Sequence, residues 1–277
     1  MPGRVRRRMD GKGNGENGSY VFPRHPSEID RLDVQHYALR AAIKGNYLAP
    51  IGSPKLILDV GTGSGQWAFD MAEEFPDATV VGLDLAAGKP EHPTNYRFVR
   101  GNILQGLPFA TDQFDFVHQR LLQSGVPLKD WSSDISELVR VTRPGGWIEL
   151  VEVKHEIEPS GPATRQLLAL LSKLAGARGL DRTGIIYQRL DEYLRRAGLH
   201  DVTRRDVEIP TGEWGGQVGS LMASDLRALF MRLAGVFEAQ LGLPAEECHK
   251  LVATMTREWE ESKSISTFGV AFGRKPT

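Results

Sequence analysis

From Lys55 onward the chain alternates short apolar runs with stretches whose apolar residues recur every three or four positions. The runs Leu56–Val60, Thr79–Asp84, Tyr96–Arg100, Phe114–His118 and Gly146–Val153 predict five strands; Val202–Ile209 and Ser266–Gly273 predict a sixth and a seventh. Helical spacing marks Trp67–Phe75, stopped by Pro76, then Trp131–Val141, Ala163–Ala175 and Gly184–Ala197, with Gly198 as a C-cap. Two longer helices, Gln217–Gln240 and Pro244–Ser262, lie between the last two strands. Strand–helix alternation argues for an α/β fold: a doubly wound, mostly parallel sheet with right-handed crossovers.

Before this region, residues 1–18 show no apolar period and are expected to form a disordered tail. Residues 19–50 are expected to hold N-terminal cap helices. Within them, Ser27–Arg40 is amphipathic, with Ser27 as N-cap and Ile29, Leu32, Gln35 or His36, and Leu39 at helical spacing. Such a helix either covers a cleft or packs on the sheet. The main domain then spans 51–277. Within it, 212–263 is longer than a crossover requires and is expected to be a helical lid insertion over substrate, with extra core packing as the alternative.

Chemistry enters at Leu58-Asp59-Val60-Gly61-Thr62-Gly63-Ser64-Gly65. An apolar strand that ends in spaced glycines and opens into a helix lets the backbone turn sharply and approach a ligand. Alone this signature is weak. Its weight comes from the next strand, which ends in an acid, Asp84.

Composition narrows the classes. The chain has 277 residues, 34 basic against 35 acidic, and a net charge of −1, which argues against a dedicated nucleic-acid binder. The basic cluster Arg4–Arg8 reads as part of the tail rather than a phosphate-binding arm. No apolar run reaches membrane-spanning length and no secretory segment opens the chain, so a cytoplasmic location without membrane contact is expected. A single cysteine, Cys248, excludes an intrachain disulfide and a cysteine metal cluster, and is expected to be a small, semi-buried residue of the C-terminal helix. The seven histidines are scattered without ligand spacing, so no metal site is expected.

Four segments in order, Leu58–Gly65, Val81-Gly82-Leu83-Asp84-Leu85, Gln113-Phe114-Asp115-Phe116-Val117 and Leu138–Trp147 with its Arg143-Pro144-Gly145-Gly146 turn, resemble the class I S-adenosylmethionine-dependent methyltransferases. Tyr20–Pro23, Arg31–His36 and Gly146–Glu152 further resemble the LaeA-like branch, common around secondary metabolism. The resemblance implies a Rossmann-like, seven-stranded sheet in the order 3-2-1-4-5-7-6 with the last strand antiparallel. It implies S-adenosyl-L-methionine as cofactor, with Asp59, Gly61, Thr62 and Gly63 at its amino-acid end, Asp84 and Leu85 at the ribose, and Asn102 and Ile103 at the adenine. At the adenine position the family usually has Asp, and Asn102 keeps the acceptor while adding a donor. Tyr20, His25 and His36 are candidates to close over the cofactor, with His36 equally readable as a structural histidine.

His118 lies where the family lines the junction of cofactor and substrate, as a cofactor contact or a general base; Glu152 and His155 are further catalytic candidates. Arg120 is a candidate partner for an acidic substrate or a cofactor carboxylate, against a surface role. Trp67 and Trp147 are expected to pack the sheet and its first helix. His118-Gln119-Arg120-Leu121 stands where nucleic-acid amino-methyltransferases carry Asn-Pro-Pro-aromatic, so a small-molecule acceptor is expected, on a monomer or homodimer. The expected activity is methyl transfer to an N, O or C nucleophile of a small, partly apolar metabolite. Two rivals use the same cofactor scaffold: a non-methylating enzyme, and a regulatory protein acting through a protein partner.

Overall fold

A computed structural model describes residues 26–277. Seven strands, β1 (Leu56–Val60), β2 (Thr79–Asp84), β3 (Tyr96–Arg100), β4 (Phe114–Arg120), β5 (Thr142–Glu158), β6 (His200–Pro210) and β7 (Ile265–Arg274), form one sheet in the order β3-β2-β1-β4-β5-β7-β6. β1 to β5 pair in parallel, and β7 runs antiparallel between β5 and β6. This is the order the family resemblance implies. β1 and β2 are near-continuous apolar runs because both of their faces are covered.

Helices α1 (Pro26–Ile43), α2 (Gln66–Glu74), α3 (Trp131–Val141), α4 (Pro162–Gly176), α5 (Ile185–Gln188), α6 (Leu190–Arg196), α7 (Gly216–Leu241) and α8 (Ala245–Ser262) complete the described elements used below. One face of the sheet meets α3, α5 and α6 through Phe114, Trp131, Leu138, Leu150 and Leu190. The other meets α2 through Ile57, Trp67, Met71, Val80 and Phe116. A third core joins α4, α7 and α8 through Leu167, Leu174, Phe230, Phe237, Met255 and Trp259. Cys248 lies in that core, fully buried rather than semi-buried.

Two local expectations change. The span Gly184–Ala197 is two helices broken at Arg189, where φ is −118° and ψ is 19°. Ile186, Tyr187, Leu190 and Leu194 are buried on both sides of the break, so the apolar period runs through it unmarked. The Arg143–Gly146 turn is absorbed into β5, whose pairing with β4 shifts between Phe114 and Phe116 before regular register resumes at Trp147. Gly145 takes a φ of 74° there, which accommodates the irregularity.

Candidate functional site

The chain turns directly after β1. Gly61 and Gly63 have φ of 72° and 58°, a region L-residues avoid, and a Cβ on Gly61 would stand 2.6 Å from the Leu122 side chain. Gly61 N and Thr62 N both donate to Leu83 O, at 2.8 and 3.0 Å. Gly63 N donates to Asp84 Oδ2 at 2.9 Å, and Leu85 N to Asp84 Oδ1 at 2.6 Å. The acid that ends β2 therefore holds the glycine loop that ends β1. The loop after β2 then folds back: Lys89 reaches Gln66 Oε1 at 2.6 Å and pairs with Asp33 of α1.

These turns form part of the wall of a cavity of about 850 Å³, near the upper end of the usual range for small-molecule sites. Gly61, Thr62, Gly63, Asp84, Leu85, Asn102 and Ile103 line it. Asn102 Oδ1 accepts from Leu104 N at 3.0 Å, while its Nδ2 has no partner among the described residues and is left to donate. Another part of the wall is apolar, with Leu168 and Leu171 from α4, Leu226, Leu229 and Phe230 from α7, and Phe268 from β7. Arg120 and His155 line the same cavity. Tyr20 and His25 lie outside the described residues.

His118 and Asp59 stand behind this wall rather than in it. His118 is 1% exposed and stacks on Trp67 at 3.8 Å and 7°. Its Nδ1 lies 2.9 Å from Asp59 Oδ1, and Asp59 Oδ2 accepts from Thr62 Oγ1 at 2.7 Å. Desolvation lowers the His118 pKa against the opposing pull of Asp59, so the neutral ring donates Nδ1–H to the carboxylate. The pair thereby sets Thr62 from beneath. Trp67 is buried, its Nε1 donating to Asn46 O at 2.7 Å, and does not face the cavity.

Glu152 is also off the wall. Its Oε1 accepts from Leu122 N at 2.7 Å and Gln123 N at 3.2 Å, which fixes the turn carrying Leu122 against Gly61. Burial raises its pKa well above the ordinary carboxylate value. Of the three catalytic candidates, only His155 borders the cavity. His36 is 1% exposed, with Nε2 3.0 Å from Asp70 Oδ2 and Nδ1 3.4 Å from Arg120 Nη1. Among the described residues, no group of three or more His, Cys, Asp or Glu could hold a metal ion.

Sequence reasoning missed two buried polar sets. Asp225 of α7 pairs with Arg31 of α1 at 2.5 Å and joins the two helices beside the cavity. Glu149 Oε2 accepts from Leu48 N and Ala49 N, each at 2.8 Å, tying the segment after α1 to β5. A charged residue inside an otherwise apolar strand was the available signal for Glu149; Asp225 sits in a helix whose partner face the local pattern does not name.

The donor set fits a nucleoside with an amino-acid tail. An acid lies at the end of β2, an amide donor follows β3, and a glycine-rich backbone turn lies between cavity and sheet.

A methyltransferase domain family matches residues 57–146. The chain is 30% identical over 275 residues to Methyltransferase pytC of Aspergillus terreus, covering 94% of this chain and 84% of that protein. It is 33% identical over 211 residues to the secondary metabolism regulator LAE1 of Cochliobolus heterostrophus, covering 71% and 67%. Phosphoethanolamine N-methyltransferase 2 of Haemonchus contortus, solved with phosphomonomethylethanolamine and S-adenosylhomocysteine, shares the fold with a TM-score of 0.50 at 15% identity, over 88% of this chain and 58% of that one. The chain belongs to the class I S-adenosylmethionine-dependent methyltransferases, in the branch that holds LaeA and the fungal methyltransferases of secondary metabolism.

Proposed function

We propose that this chain transfers the methyl group of S-adenosylmethionine to an N, O or C nucleophile of a small, partly apolar metabolite. The observation that carries the acceptor class is that one cavity joins the Gly61–Gly63 and Asp84 cradle to the apolar wall of α4 and α7. In this reading Asp84 and Leu85 hold the ribose and Asn102 and Ile103 the adenine. Gly61, Thr62 and Gly63 hold the amino-acid end, with Asp59 and His118 acting through Thr62. Tyr20, a further candidate for cofactor contact, lies outside the described residues. The span 212–263 serves as the lid through α7, with α4 beside it and α8 packed against both.

The bound cofactor supplies a methyl group on a cationic sulfur. Displacement there is driven by orientation and by partial exclusion of water beside the apolar wall of α4 and α7, without a catalytic triad. Where the acceptor carries a proton, His155 is the candidate to take it, because His118 and Glu152 are held behind the wall by other partners. No described helix is long and apolar enough to cross a membrane. A cytoplasmic monomer or homodimer without nucleic-acid contacts completes the proposal, the last supported by the near-neutral charge.

Labelled cofactor incubated with a panel of amines, phenols and indoles should give a labelled product. The relationship to LAE1 favours a second reading, a cofactor-binding regulator that works through a protein partner. Tight cofactor binding without label transfer across a broad panel would select it.

A further inference from the structure

Arg120, the last residue of β4, lines the cavity and is partly accessible to it. A guanidinium carries five N–H donors and no acceptor. Among the described residues, its one hydrogen-bond acceptor is His36 Nδ1, at 3.4 Å. The carboxylates that act on Arg120 from a distance are Asp59, Asp70 and Asp225, and each is already engaged elsewhere. Asp59 accepts from His118 and Thr62, Asp70 from His36, Gln66 and Arg40, and Asp225 from Arg31 and Gln35. None of the three forms an ion pair with Arg120.

The arrangement also fixes where the cation points. Because Arg120 only donates, His36 must present a lone pair at Nδ1 and place its proton on Nε2, toward Asp70. Burial and the neighbouring guanidinium both lower the His36 pKa, in keeping with that neutral tautomer. A neutral imidazole orients the guanidinium without cancelling its charge. In the sheet, Gln119 pairs with Val60, so Arg120 stands level with Gly61, the first glycine of the loop. An oriented, half-buried cation at the cavity wall, with most of its donors unused among the described residues, is set to receive an anion. A planar carboxylate matches two parallel N–H groups of the fork.

We propose that Arg120, oriented by His36, is the receptor for a ligand carboxylate at the β4 edge of the cavity. The inference rests on the cofactor reading above for one of its two sources, the methionyl carboxylate of the cofactor; the other source is a carboxylate on the acceptor. The remaining four donors, the level with Gly61 and the absence of a carboxylate partner among the described residues are common to both.

Calorimetric titration of wild type and Arg120→Gln separates the sources. S-adenosylhomocysteine and its decarboxylated analogue probe the first; benzoate and benzamide, added to the S-adenosylhomocysteine-loaded protein, probe the second. If the cofactor carboxylate is the ligand, Arg120→Gln weakens S-adenosylhomocysteine by roughly 10- to 100-fold and leaves the decarboxylated analogue unchanged. If the acceptor carboxylate is the ligand, S-adenosylhomocysteine binds as before, and benzoate binding is lost while benzamide is unaffected. Arg120→Lys, which keeps the charge but not the fork, retains part of the affinity in either case and controls for misfolding. Equal affinities in Arg120→Gln and wild type for both acids, or equal losses for acid and neutral probes, overturn the inference. Wild-type protein that does not bind S-adenosylhomocysteine contradicts the cofactor reading instead, and the benzoate arm, run on the unloaded protein, still decides the role of Arg120.

Discussion

Asp84, proposed as a ligand contact, also serves the protein itself. Its carboxylate accepts from Gly63 N and Leu85 N, so the group proposed to meet a ribose diol also fixes the loop beside it. Asp84→Ala should therefore weaken S-adenosylhomocysteine binding by about 1–3 kcal/mol and lower the thermal midpoint in the same variant, since Gly63 N loses its acceptor. Unchanged affinity by calorimetry would remove Asp84 from the site. The acid was legible in the sequence because it ends the strand after a glycine loop, a position with a chemical meaning. The direction of His118 was not. His118 and Arg120 stand two apart on β4 and share its α2 side, yet Trp67 covers the first and the second reaches the cavity. Strand periodicity gives a face; what covers each point of that face is decided by a helix fifty residues earlier.

At the level of elements, the strands match their apolar runs closely, because a strand covered on both sides must be apolar nearly throughout. The exceptions are polar groups inside β5. Alternation places Glu149 and Glu152 on opposite faces, where each accepts two backbone N–H groups from a neighbouring segment. Burial pushes Glu149 from 4.5 up to about 7. Between those values the folded chain keeps a proton that the unfolded chain releases. The stabilisation from this group is thus complete below about pH 4.5 and is lost as pH rises through about 7, a change of roughly 3 kcal/mol at most. Asp134, also raised to about 7 by burial, acts in the same direction. Glu149→Gln keeps an oxygen acceptor for Leu48 N and Ala49 N, so denaturant unfolding at pH 5 and pH 8 should differ less in this variant than in wild type. An equal difference in both would show that Glu149 does not carry the dependence.

For the whole molecule, the family segments made the sheet and the places of the glycine loop and Asp84 readable, whereas the apolar wall of the cavity was readable only in outline. The span 212–263 stood out by its length, but α4 joins α7 and α8 in one core from some forty residues earlier, and local periodicity does not record which distant helix fills a groove. The Arg31–Asp225 pair, with Glu28 reaching both Arg31 and Arg232, likewise unites α1 and α7 across nearly two hundred residues. These long-range contacts bring an apolar wall to the open side of the glycine loop. If cofactor and acceptor share that single cavity, a crystal structure with S-adenosylhomocysteine bound will show it. The ribose diol is then expected on Asp84, the adenine beside Asn102, and the sulfur open to the space lined by Leu171, Leu229 and Phe230. A ligand seated elsewhere, or one whose sulfur faces away from that space, would contradict a shared cavity.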